Sequence, residues 1–174
     1  MIPHFRYHPD PLGTGAFTKG DPQTCDCCGR QTDIWYNSPF YSSEDVECLC
    51  PGCIADGKAA EKFDGEFQDS ASADKVSDPA KLEELTTRTP GYCGWQQEYW
   101  LAHCDDYCAF TGYVGMEELE EMGLSDKLEE IYRKDVAMFD IEDVRENMQN
   151  EGSMQGYLFR CLHCGKYFLY VDCD

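Results

Sequence analysis

Apolar and polar positions along this chain predict short elements separated by turns, with no long helix and no long strand. Ile34-Trp35-Tyr36 and Phe40-Tyr41 flank Asn37-Ser38-Pro39, which is the pattern of a β-hairpin. Residues 54–63 read as a helix with Ile54 and Phe63 facing inward, weakened by Gly57. Asp78-Pro79 supplies the N-cap and first residue of a helix that puts Leu82 and Leu85 on one face and stops at Thr89-Pro90-Gly91. The densest aromatic stretch runs from Gly91 to Cys108. As a helix it would gather Trp95, Tyr99 and Trp100 on one broad face and set Cys104 and Cys108 on one stripe. Helical patterns recur at residues 116–123, 125–132 and 140–148, with Gly123 as a stop, Ser125 and Asp140 as N-caps, and Leu128, Ile131 and Tyr132 as the inward stripe. Finally, residues 157–171 read as two strands joined by Cys161-Leu162-His163-Cys164-Gly165.

The cysteines turn these fragments into stapled units. Cys25-Asp26-Cys27-Cys28-Gly29 and Cys50-Pro51-Gly52-Cys53 form two CxxC pairs separated by 21 residues. Each pair can turn two thiolates toward one ion, and a closed tetrahedral Zn²⁺ needs four such ligands, here Cys25, Cys28, Cys50 and Cys53. Gly29 permits the tight turn of a knuckle, and Pro51 suits the first turn of a helix, so a treble-clef-like finger is expected. Cys27 and Cys48 adjoin the pairs, and either could replace a ligand. A second site is expected from Cys104, Cys108, Cys161 and Cys164, although CxxxC is a looser pattern and His103 or His163 could substitute. The region from Ala109 to Met154 then becomes an excursion closed at its base by metal.

Between Asp64 and Ser77 the composition shifts to Asp, Ser, Gly and Ala with few apolar anchors, as in a linker. The expected organisation is an N-terminal zinc-finger-like module (residues 1–64), a linker (65–77), and a helical and C-terminal hairpin module (78–174) with the second zinc site, free to pack as one domain. The fold class is α+β: two small zinc-stapled modules, treble-clef or zinc-knuckle-like hairpins with short helices, holding two structural Zn²⁺ ions.

Composition narrows the function. A chain of 174 residues with 42% hydrophobic content can bury a core. Its net charge of −20 and only 14 Lys and Arg argue against a nucleic-acid surface, because phosphate contacts need clustered cations. From Glu117 to Glu151 there are thirteen Asp or Glu against four Lys or Arg, so the excursion concentrates negative charge, either as a solvated face or as a surface that steers a basic partner. The twelve cysteines fall below the density of secreted disulfide scaffolds. Residues 1–6 lack an apolar signal region and no run reaches membrane-span length, so a cytoplasmic protein with reduced thiols and no membrane contact is expected.

No catalytic constellation emerges. HExxH, G-x-S-x-G and the His-x-Glu of zinc deaminases are absent, and a four-thiolate site leaves no position for activated water. Asp105-Asp106 would point apart on a helix, and His4 and His8 lie among prolines in an irregular N-terminal segment. Gly13-Thr14-Gly15 lacks the strand and third glycine of a dinucleotide fingerprint.

Phe5-Arg6-Tyr7-His8-Pro9-Asp10-Pro11, the Leu49–Gly57 block, Thr89-Pro90-Gly91, Gly94–Glu98 with Trp100, His103-Cys104 and Tyr157–Gly165 together resemble the CbrC family of small bacterial proteins over nearly the whole chain. That resemblance implies an association with colicin tolerance and supplies no catalytic residue. The leading expectation is a non-catalytic, zinc-stabilised protein-binding module that docks a basic protein, a neutralised toxin being one case. The alternative is a cysteine-based redox or metal-handling protein using Cys27, Cys48, Cys93 or Cys173. The oligomeric state is left open.

Overall fold

In the computed structural model, which describes residues 2–174, β1 (Phe17–Thr24) pairs antiparallel with β2 (Gln31–Tyr36), and the first cysteine knuckle is the connection between them. Thus the strand expected at Ile34–Tyr36 exists but has a different partner. Phe17, Thr18 and Lys19 face Tyr36, Trp35 and Ile34, while beyond Asn37-Ser38-Pro39 only Tyr41 makes a bridge, to Glu66. Next come α1 (Pro51–Ala55) and α2 (Lys58–Phe63), which are one expected helix broken at Gly57, whose φ of 76° ends the first turn as only glycine does cheaply. Helix α3 (Pro79–Arg88) starts where its cap predicts: the Asp78 carboxylate accepts from the Ala80 amide at 3.0 Å.

A two-residue turn then joins β3 (Ala102–His103) to β4 (Asp106–Tyr107). The remainder is β5 (Ala109–Val114), α4 (Met116–Glu121), α5 (Leu128–Ile131), α6 (Lys134–Ala137), α7 (Ile141–Asn147), β6 (Met154–Arg160) and β7 (Tyr167–Cys173). Strands β5, β6 and β7 form one antiparallel sheet in that order, so the four short helices are an insertion between two paired strands. The mixed α+β class with small sheets and short helices is therefore as expected. No helix among the described residues is long and apolar enough to cross a membrane.

Alternation along the strands divides the apolar residues between two cores. Tyr157, Phe159 and Tyr170 face Tyr7, Tyr92, Trp100 and Phe110, with Tyr92 stacked on Phe110 at 4.5 Å. Leu158, Leu169 and Val171 face the insertion, packing on Leu119, Leu128, Ile131, Val144 and Met148. A third core lies under the first knuckle and gathers Phe17, Tyr36, Leu49, Ile54, Phe63 and Phe67.

The helix expected over Gly91–Cys108 does not form. Its amide groups are taken by side chains from distant elements: Tyr157 Oη accepts from the Trp95 amide at 3.1 Å and Asp172 Oδ2 from the Gln96 amide at 3.1 Å. Within the stretch, Glu98 Oε1 accepts from the Gly94 amide at 3.1 Å. Trp95 ends up 48% exposed and Trp100 fully buried, so the two do not share a face. Residues 65–77 carry more anchors than their composition suggests. Phe67 is in the first core, Gln68 donates to Glu98 O, and Asp74 makes a two-oxygen contact with the Arg133 guanidinium at 2.8 and 3.2 Å.

His8 is fully buried at the junction of the N-terminal segment and the central core. The Pro90 carbonyl, 2.7 Å away, can only accept, so Nδ1 carries the proton and Nε2 accepts from the Thr14 hydroxyl at 2.6 Å. Burial lowers the imidazole pKa from 6.5 to about 4, which keeps it neutral. A depressed value in the folded state means the contribution is complete above the unfolded pKa. It is lost as pH falls from 6.5 to about 4, on the order of 3 kcal/mol in total. Urea unfolding of wild type and His8→Gln at pH 7 and pH 4.5 should show a smaller pH loss in the variant; equal losses would assign the acid sensitivity to other groups.

Candidate metal centres

At the first centre, the Cys25 amide donates to Arg30 O at 2.9 Å and the Gly29 amide to Cys25 O at 2.8 Å, curling the knuckle so that Cys25 and Cys28 face one point. Gly29 sits at φ 71°, the conformation that its position in the turn demands. Cys50 and Cys53 approach from the start of α1, where Pro51 occupies the first helical position. The four sulfurs lie within 4.8 Å of one another, with Cys25–Cys53 and Cys28–Cys50 separations of 4.0 Å. Four sulfurs at tetrahedral Zn–S distances would stand roughly 3.8 Å apart, so the donor set fits a zinc-sized ion.

The surroundings act unequally on the ligand thiols: burial raises the pKa of Cys50 and Cys53, while hydrogen bonding favours the thiolate at Cys28. The Cys50 amide donates to Cys25 Sγ at 3.3 Å, and Arg30 Nε lies 3.5 Å from Cys28 Sγ. Arg30 lowers the Cys28 pKa to about 6. Cys27 and Cys48 stay outside the group of four. Cys48 instead donates its amide to Asp26 Oδ2 at 2.8 Å, as does Glu47 at 2.9 Å, and burial pushes its thiol up to about 11. Asp26, which motif spacing does not single out, thereby clamps the knuckle to the segment leading into the second pair.

The second centre gathers His103, Cys104, Cys161 and Cys164, again within 4.8 Å. Its knuckle repeats the first: the Cys161 amide donates to Lys166 O at 2.8 Å, the Gly165 amide to Cys161 O at 3.0 Å, and Gly165 has φ 73°. His103 Nδ1 lies 3.2 Å from Cys104 Sγ and 3.4 Å from Cys164 Sγ, near the separation a shared tetrahedral ion requires. Cys108 is the expected ligand that the structure leaves out. The i, i+4 stripe needed a helix; the β3–β4 hairpin stands in its place and directs Cys108, fully buried, into the central core. His103, one of the two substitutes considered, occupies the vacated role, and His163 is turned elsewhere.

His163 Nε2 contacts Asp106 Oδ2 at 2.8 Å. Asp106 is 1% exposed and also accepts from Tyr7 Oη at 2.9 Å, its neighbour's Tyr107 amide at 3.0 Å and the Arg6 guanidinium. One buried carboxylate thus ties the N-terminal segment, β4 and the second knuckle together. Asp105 is engaged differently, accepting from the Ser77 amide at 2.7 Å, so the two acids do not form a working pair.

Comparison with known proteins turns on the whole chain rather than these motifs. A family model described as "Uncharacterised protein family (UPF0167)" matches residues 2–173. The chain belongs to the UPF0167 family. This corrects the CbrC resemblance: knuckle and turn motifs are dictated by metal and backbone geometry, and they carry a family name less securely than a full-length match. Among UPF0167 relatives, the proteins Mb2317 of Mycobacterium bovis and MT2352 of Mycobacterium tuberculosis are each 42% identical over 175 residues, covering 98% of this chain and 93% of theirs. The Pseudomonas aeruginosa protein PA1536 is 36% identical over 174 residues, covering 98% of this chain and 97% of its own. No solved structure matches.

Proposed function

We propose that this UPF0167 member is a non-catalytic, zinc-stabilised protein-binding module that docks a basic protein through its helical insertion, with neither nucleic acid nor a membrane as its ligand. In this reading two structural Zn²⁺ ions are held by Cys25, Cys28, Cys50 and Cys53, and by His103, Cys104, Cys161 and Cys164. The ions hold the two knuckles in place and supply no open coordination position. Twelve cysteines outside any disulfide, seven of them proposed zinc ligands, suit a reducing compartment such as the cytoplasm. A toxin as the partner rested on the acidic charge, which would suit a basic toxin cleft, together with the family resemblance that the full-length match overturns; the partner proposed is a basic protein in general.

The observation that carries it is the disposition of charge on the insertion. Of the thirteen acids between Glu117 and Glu151, all but Glu118 are exposed, while Leu119, Leu128, Ile131, Val144 and Met148 are buried beneath them. The helices are docked by their apolar stripe and present a fixed negative surface on the outside. Glu118 is engaged locally, where its Oε2 accepts from the Gly115 amide at 2.7 Å and caps α4. A charge-reversal test therefore spares it. Replacing Glu117, Glu120, Glu121 and Glu142 by Lys should leave folding intact, slow association with a basic partner about tenfold or more at low salt, and flatten the salt dependence. Stopped-flow rates unchanged at both salt concentrations would move recognition to the cleft of about 710 Å³ beside exposed Trp95.

A further inference from the structure

The two centres have similar donor geometry and dissimilar protection. At the first, Cys25 and Cys53 are buried, Cys28 and Cys50 are half-buried, and amide and guanidinium groups cover two of the sulfurs. At the second, Cys104 and Cys164 are exposed, His103 is half-buried and only Cys161 is buried. The backbone differs as well. Cys104 and Asp105 form the β3–β4 turn with φ of 57° and 55°, a left-handed pair that glycine or asparagine normally supplies. Aspartate tolerates this conformation and cysteine does not, so the strain sits at Cys104, where a metal bond would help to offset it. The hairpin has anchors independent of metal: Ser77 donates to the Asp105 carboxylate, and Lys81 Nζ donates to Asp105 O at 2.6 Å. Losing the ion would therefore loosen the turn without detaching it.

We propose that the second centre is a peroxide-responsive metal site, releasing its zinc on oxidation of Cys104 and Cys164, while the first centre is inert under the same conditions. This deepens the metal assignment above and rests on it. One exposed thiolate attacks hydrogen peroxide; an S–O bond forms, the O–O bond breaks, and hydroxide leaves and takes a proton to become water. The other thiolate attacks that sulfenic sulfur; an S–S bond forms, the S–O bond breaks, and a second hydroxide leaves as water. Two sulfurs give up two electrons, one peroxide is reduced to two waters, and two protons come from solvent. His103 and Cys161 alone would then be left to hold the ion, too few ligands to retain it. The sulfurs start within 4.8 Å of each other, and the loosened Cys104 turn supplies the movement that closes the bond.

The test uses the full chain as purified, with its zinc counted first. Excess hydrogen peroxide is added in the presence of a chromophoric zinc chelator. One equivalent of zinc should appear at least about tenfold faster than the second, with a Cys104–Cys164 disulfide in peptide maps and recovery by thiol reductant plus zinc. Cys93→Ser, which removes an exposed thiol outside both centres, should leave the fast phase unchanged. Fewer than two zinc ions at the start would overturn the metal assignment and the inference with it. Two ions released at equal rates, a first disulfide among Cys25, Cys28, Cys50 and Cys53, or a fast phase abolished in Cys93→Ser would overturn the inference alone.

Discussion

Replacing Cys53 by serine is expected to remove the first metal ion and unfold the structure around it. Cys53 is 1% exposed, lies 4.0 Å from Cys25 through sulfur, and sits in the same core as Ile54, Phe63 and Tyr36. A serine hydroxyl is shorter, stays protonated near neutral pH and is a poor zinc ligand, so three thiolates would be left to hold the ion. Structural zinc supplies on the order of 10 kcal/mol to small metal-folded units, which matches the entire stability of a typical domain. Forfeiting even half of that would lower the melting temperature by about 10–20 °C, at about 2–4 °C per kcal/mol for a chain of this length. Elemental analysis should find one zinc fewer per chain, and circular dichroism a transition lost or strongly shifted. Cys27→Ser, outside the ligand group, is the matched control and should keep its metal. Full zinc content and an unchanged melting curve in Cys53→Ser would rule out the first centre as drawn.

Asp106→Ala should be a costly substitution outside the ligand sets. Burial by itself raises the Asp106 pKa, but hydrogen bonds from His163 and Tyr7 and the charges of Arg6 and Lys81 outweigh it and hold the carboxyl below the usual range. Removing it leaves the fully buried Tyr7 hydroxyl without its acceptor and Arg6 without its closest partner. Orphaning the buried Tyr7 hydroxyl, with the partly solvated Arg6 and His163 losing a partner, costs about 1–3 kcal/mol. Asp106→Asn, which keeps one acceptor, should cost less. Because the folded-state value is depressed, the stabilisation is present above the unfolded carboxylate pKa of about 3.9 and fades as pH falls through the lower folded value. Stability differences between wild type and Asp106→Asn should therefore shrink only below about pH 4. The second centre should also bind its ion about tenfold or more weakly in Asp106→Ala, since the carboxylate orients the knuckle through His163. Denaturation curves within about 0.5 kcal/mol of wild type for Asp106→Ala would show that the cluster is dispensable.

Both knuckle turns were legible in the residues because CxxC followed by glycine leaves the backbone few options; the structure groups Cys25, Cys28, Cys50 and Cys53 in one place and Cys161 and Cys164 with His103 and Cys104 in another. Helix α3 was legible for the same kind of reason, since Asp78-Pro79 caps it locally and Thr89-Pro90 ends it. Cys108 was not legible. Its candidacy depended on a helix over Gly91–Cys108, whose aromatic pattern fits a helix face and a buried irregular segment equally well. What decided between them was Tyr157, Asp172 and Glu98 taking the backbone amides of residues 94–96. His103 could be named from sequence only as a substitute for another ligand, because adjacency to Cys104 says nothing about which way either side chain points.

The sequence by itself determined what local chemistry can determine: the knuckles, the capped helix, the inward stripe of the insertion with acids outside it, and the strand alternation at residues 157–171. Each depends on residues within a turn or two of one another. Tertiary structure alone decided the partner of β2, the hairpin that exchanges Cys108 for His103, the burial of Asp106 among Arg6, Tyr7 and His163, and the unequal exposure of the two centres. These depend on groups as much as 100 positions apart meeting in space, as Arg6 and Asp106 do. No spacing rule encodes such meetings, because they follow from which apolar faces exclude water together.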